Sequence, residues 1–94
     1  MIDKFKNIPN DPDTNILTSF ETKFNDLDCV FQTWLYDGIK GNSIILYKYD
    51  IENYTKEIIE EQIRQSDLMK DNNESITYSS SQDHDYCFFN FNFE

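Results

Sequence analysis

The spacing of apolar positions changes along this chain, and each change marks an element. In SFETKF, residues 19–24, Phe20 and Phe24 share one side with Thr22 between them, the period of two that a strand requires. NDLD at 25–28 is rich in turn residues. CVFQTWLY, residues 29–36, sorts into Cys29, Phe31, Thr33 and Leu35 on one face and Val30, Gln32, Trp34 and Tyr36 on the other. β-Branched and aromatic residues dominate it, which predicts a central strand. DGIKGN at 37–42 holds Gly38 and Gly41, the two glycines of the chain, each able to supply positive φ in a hairpin loop. SIILYKY at 43–49 is the third strand, and the short connections predict an antiparallel meander.

The period then lengthens. Across residues 50–69, DIENYTKEIIEEQIRQSDLM, the positions Ile51, Tyr54, Ile58, Ile59 and Ile63 form one helical stripe. Asp50, Asn53 or Thr55 caps its start, and Glu57 sits at the positive end of the helix dipole. Lys56, Glu57, Glu60, Glu61 and Arg64 fall on the other side. MKDNNES at 69–75 reads as a loop, ITYSS at 76–80 as a short strand, and SSQDHD at 80–85 as a polar turn. The terminal YCFFNFNFE, residues 86–94, returns to a period of two. Cys87, Phe89, Phe91 and Phe93 face one way; Tyr86, Phe88, Asn90 and Asn92 face the other. Phe89 and Phe91 are expected under the helix.

The predicted fold is therefore α+β, with elements in the order β-β-β-α-β-β. One antiparallel sheet carries one amphipathic helix packed on one face. Residues 1–94 form a single small acidic domain, since a chain this short supports one thin core. Residues 1–15 contain Pro9 and Pro12 and read as an irregular arm, although Ile2, Phe5 and Ile8 repeat at a spacing that would let a helical turn dock them. One helix cannot cover both faces of such a sheet. The second face, carrying Trp34, Tyr36, Tyr47 and Tyr49 or their alternates, is expected to keep aromatic surface half exposed.

Charge narrows the function classes. Eighteen acidic residues against eight basic ones give a formal net charge of −10. Such a field repels nucleic acid and anionic membranes and attracts basic proteins. Eight Phe and six Tyr argue for a folded chain. No apolar run reaches signal-peptide or membrane-spanning length, so a cytoplasmic protein is expected. Cys29 and Cys87 lie in no metal or redox spacing and read as buried thiols. His84, the single histidine, sits between Asp83 and Asp85. It has no spaced partner for a zinc site and no convergent nucleophile, so neither a metal, a cofactor nor a catalytic residue is assigned. DPDTN and KDNNES lack the central glycine and terminal glutamate of a calcium loop, and DGIKGN is no phosphate loop.

What remains is distributed acidity beside aromatic anchors. The residues expected to meet a partner are Glu57, Glu60, Glu61, Asp67 and Asp71 on the helix and its exit, Asp37, Asp83 and Asp85 in turns, and Trp34 and Tyr36 as anchors. The expectation is a non-enzymatic acidic inhibitor of the immunity, antitoxin or phage anti-defence (anti-CRISPR) type. It would bind a basic nuclease toxin or defence effector as a monomer or weak homodimer, its carboxylates standing in for phosphates. The alternative is a non-inhibitory interaction or assembly module using the aromatic sheet face. The two differ in salt dependence, which is strong for the first and weak for the second. An enzyme, the third class, would need His84 as its base.

Overall fold

A computed structural model describes residues 3–65, 77–80 and 85–92. Among these residues lie one α-helix and a five-stranded antiparallel sheet, an α+β arrangement. The strands are β1 (Asn15–Phe24), β2 (Leu27–Tyr36), β3 (Ile39–Tyr47), β4 (Thr77–Ser80) and β5 (Tyr86–Asn92), and the helix is α1 (Lys56–Gln65). They lie side by side as β1-β2-β3-β5-β4, so the carboxy-terminal strand pairs with β3 and β1 forms an edge.

The first three strands are a meander, and its turns are tighter than NDLD and DGIKGN suggested. Asn25 and Asp26 both have positive φ, 48° and 67°, and alone join β1 to β2. Asp37 and Gly38, at 50° and 76°, do the same between β2 and β3. Paired positive φ gives the turn whose twist matches that of the flanking strands, and Asn, Asp and Gly tolerate it best. Leu27, Asp28, Ile39 and Lys40 are thereby released into strands. Gly41 is a buried strand residue opposite Trp34, not a turn residue. β1 likewise begins earlier than SFETKF, at Asn15, with an irregularity between Ile16 and Thr18. β3 ends at Tyr47, because residues 48–50 turn into a short 3-10 helix.

Residues 41–46 of β3 are all buried, so this strand is covered on both faces. On one face Ile59 and Ile63 of α1 pack against Cys29, Ile44, Leu46, Cys87, Phe89 and Phe91. The Thr55 hydroxyl caps the helix, accepting from the Ile58 amide at 3.2 Å. The helix is shorter than the apolar stripe. Ile51 precedes it yet stays buried, whereas Tyr54 and Ile58 are 41% and 46% exposed. Ile59 and Ile63, one turn apart, take the core-facing line and leave Ile58 beside it.

The opposite face is covered by the amino-terminal arm. A turn of 3-10 helix at Asp3–Phe5 drops Phe5 onto Val30, Ile45 and Tyr86, where it is 1% exposed. Ile8 packs beside it with Tyr47 and Phe88. The spacing of Phe5 and Ile8 is used as the sequence suggested; Ile2 lies outside the described residues. The Tyr86 hydroxyl donates to the Lys4 carbonyl at 2.6 Å. Burying a Phe side chain contributes roughly 1.5–3 kcal/mol, a large share for so small a core.

Cys29 and Cys87 sit on the helix-side face but on either side of Leu46, with which both are in register. Two strand spacings separate them by roughly 10 Å, beyond the reach of a disulfide. Both are buried thiols outside any disulfide. Burial, aided by the Asp28 charge, pushes the Cys29 thiol up to about 11, so it remains protonated and unreactive at neutral pH.

Phe5→Ala should destabilise the protein by about 3–5 kcal/mol, the range for a fully buried Phe. Urea unfolding checks this. A loss under about 1 kcal/mol would mean that the arm is not part of the core.

Candidate functional site

The arm does more than cover the sheet. Past Phe5 it borders an open groove of about 510 Å³. Pro9, Asn10, Asp11 and Thr14 form the arm-side wall. Gln32, Trp34, Ser43, Phe88 and Asn90 line the sheet side, with Ile16 and Tyr36 completing the lining. Strand alternation explains the set: Gln32, Trp34 and Tyr36 are every second residue of β2, and Ser43 lies in register with both Gln32 and Asn90.

The polar groups under the groove are joined in a directed chain. Trp34 Nε1 donates to Ser43 Oγ at 2.8 Å, and Ser43 Oγ donates to Asn90 Oδ1. Gln32 Nε2 donates to Ser19 Oγ at 3.4 Å. The Asp11 carboxylate accepts from the Asp13 amide at 2.9 Å, which shapes the wall. Asn90, assigned to the polar side of its strand by alternation, is half-buried and takes part in this chain. Neither Ser43 nor Asn90 stands out in the sequence, because Asn42 and Asn92 are further polar residues of the same strands.

The arm is fixed electrostatically by Lys4. Its Nζ lies 2.7 Å from Asp50 and 3.3 Å from Asp28, and 5.6 and 5.8 Å from the ring centres of Phe5 and Tyr47. Lys23 also bonds to Asp28. The hydrogen bond to Asp50 raises the Lys4 pKa despite partial burial. Lys23, then Lys4, lowers that of Asp28. Asp50, considered above as a helix cap, is thus an arm anchor.

Among the described residues, those expected to meet a partner do not form one surface. Trp34 and Tyr36 are on the arm side, in the groove. Asp37 is exposed in the β2–β3 turn next to Tyr36. Glu57, Glu60 and Glu61 are carried by α1, on the other side of the sheet. Glu57 and Glu61 are exposed beside Ile58, and Glu60 is half-buried. Asp85 is exposed just before β5 and accepts from the Tyr49 hydroxyl at 3.2 Å, and its charge raises the Tyr49 pKa. Asp67, Asp71, Asp83 and His84 lie outside the described residues. Of the aromatic face, Tyr47 packs with the arm, while Tyr49 has left the sheet for the 3-10 turn and is half exposed.

No protein-family model, curated protein or solved structure matches the chain. No helix among the described residues is long and apolar enough to cross a membrane.

The Lys4 ion pairs give arm docking a pH window. Asp28 has a lowered folded-state pKa. Its contribution is present above the ordinary carboxylate range and is lost as pH falls through the folded value. Lys4 has a raised one. Its contribution is complete below the ordinary lysine value and is lost as pH rises through the folded value. The stability gap between wild type and Lys4→Met, read by urea unfolding, should be constant between about pH 5 and 10 and shrink on both sides. A gap independent of pH would show that Lys4 acts only through its hydrocarbon stem.

Proposed function

We propose that the protein is a small acidic inhibitor that binds a basic, nucleic-acid-acting protein and covers the surface that would otherwise take nucleic acid. Nuclease immunity proteins, antitoxins and phage anti-defence proteins are the forms such an inhibitor takes. The observation that supports this reading is the fate of the carboxylates. Three ion pairs are found among Lys4, Lys23, Asp28 and Asp50. Glu57 and Glu61 are exposed on α1 beside Ile58, which is 46% exposed, and Glu61 accepts a hydrogen bond from Gln65 Nε2 at 2.9 Å. An exposed apolar side chain with two carboxylates beside it suits a basic partner: the charges steer the encounter and the apolar centre desolvates.

A second reading, an assembly module, is favoured by the edge strand. β1 carries Leu17 and Phe20, 45% and 51% exposed. Phe20 extends a row of rings through Phe31 to Phe91, with centroids 5.5 and 6.3 Å apart. An exposed edge with apolar side chains is a template for strand addition.

Affinity capture from source-cell lysate at low and high salt, followed by binding kinetics with the captured protein, separates the two. The inhibitor reading expects a basic nucleic-acid-acting protein whose activity the chain blocks. Glu57→Lys with Glu61→Lys should slow association about tenfold at low salt, the difference fading at high salt. A partner bound at the same rate by this variant at every salt, and lost on Phe20→Ser, would favour the assembly reading instead.

A further inference from the structure

We propose that the groove between the arm and the sheet is a binding site for an arginine side chain of the partner. This rests on the reading that the partner is basic, and it supplies what the acidic helix does not, a desolvated anchor on the opposite side of the sheet. The groove has no lysine or arginine in its lining. Three of its donor groups are engaged within the protein: Trp34 Nε1 with Ser43, the Ser43 hydroxyl with Asn90, and Gln32 Nε2 with Ser19. What the lining offers a ligand is aromatic side chains and one charged residue, Asp11, beside the amides and hydroxyls of Asn10, Thr14, Tyr36 and Asn90.

Trp34, Tyr36 and Phe88 supply aromatic rings to the lining, and Asp11 on the wall carries its negative charge. A guanidinium combines a planar face that stacks on aromatic rings with a fork of donors and a permanent charge. An ammonium lacks the planar face. A neutral apolar side chain would leave the Asp11 charge unmatched, and an anion would meet Asp11 without a compensating cation. A single arginine with its flanking backbone also fits the size of the groove, which is at the scale of small-ligand sites.

Trp34 is the single tryptophan of the chain, so its fluorescence reports directly on the groove. The purified protein is titrated with acetyl-Gly-Arg-Gly-amide and with the same peptide carrying citrulline, which keeps the shape and loses the charge, or lysine. The arginine peptide should shift Trp34 emission and bind about tenfold more tightly than the citrulline peptide, with lysine between them. Asp11→Asn, which keeps the oxygen that accepts from the Asp13 amide, should remove most of that difference while leaving the fold intact. Equal binding of arginine and citrulline, equal binding of arginine and lysine, or no Trp34 response to any peptide would each overturn the assignment. Salt-dependent partner capture through Glu57 and Glu61 does not depend on the groove. It would survive such a failure and keep the inhibitor reading standing alone.

Discussion

The structure depends on the double-sided burial of β3. Residues 41–46 have no exposed face, so every other element is placed by the need to cover them. β2 and β5 satisfy the backbone on either side. Above and below the sheet the means differ. A ten-residue helix contributes Ile59 and Ile63 to one face. The other receives Phe5, held by a short stretch of chain without a regular helix of useful length. With so few apolar residues, both covers are needed, and a hydrogen bond from Tyr86 and a lysine between two aspartates hold the weaker one in place.

That economy produces the groove. Phe5 packs on Val30 and Ile45, while Pro9, Asn10, Asp11 and Thr14 leave an open groove beside Trp34 and Ser43. A sheet face covered by a helix would be closed there. Covered by a strap, it keeps a lateral opening with aromatic sides and three donor groups engaged within the protein. The surplus acid is arranged separately, on α1 and in the turns, where solvent and any approaching basic surface meet it. Glu57, Glu60 and Glu61 thus lie on the helix side of the sheet and the aromatic groove on the arm side.

Much of the sheet was legible because alternation is a strong signal over seven to ten residues. CVFQTWLY and YCFFNFN each name their two faces, and both do so correctly in the structure. Turn limits were less legible. Asp37 and Gly38 suffice to reverse the chain, but Gly41 looks equally turn-like until register places it opposite Trp34. The helix stripe admitted Ile58 because Ile58 and Ile59 fit the same period, and only packing decides which one turns inward. Lys4, Asp11 and Ser43 carry no sequence signature. Their roles arise from contacts between segments far apart, such as Lys4 with Asp50, and periodicity within a segment cannot reveal them.

The central claim is that the arm is an integral layer of the fold. It is tested most directly by proton NMR of the intact chain, through cross-relaxation between the Phe5 ring and its neighbours. The Phe5 and Tyr86 rings are stacked with centroids 6.5 Å apart, and Phe5 clusters with Val30 and Ile45. Cross-peaks from the Phe5 ring to the Val30 and Ile45 methyls and to the Tyr86 ring are the predicted result. A Phe5 ring with sharp, solvent-like resonances and no such cross-peaks would contradict the account, because the second face of β3 would then be uncovered and the groove would lose its wall.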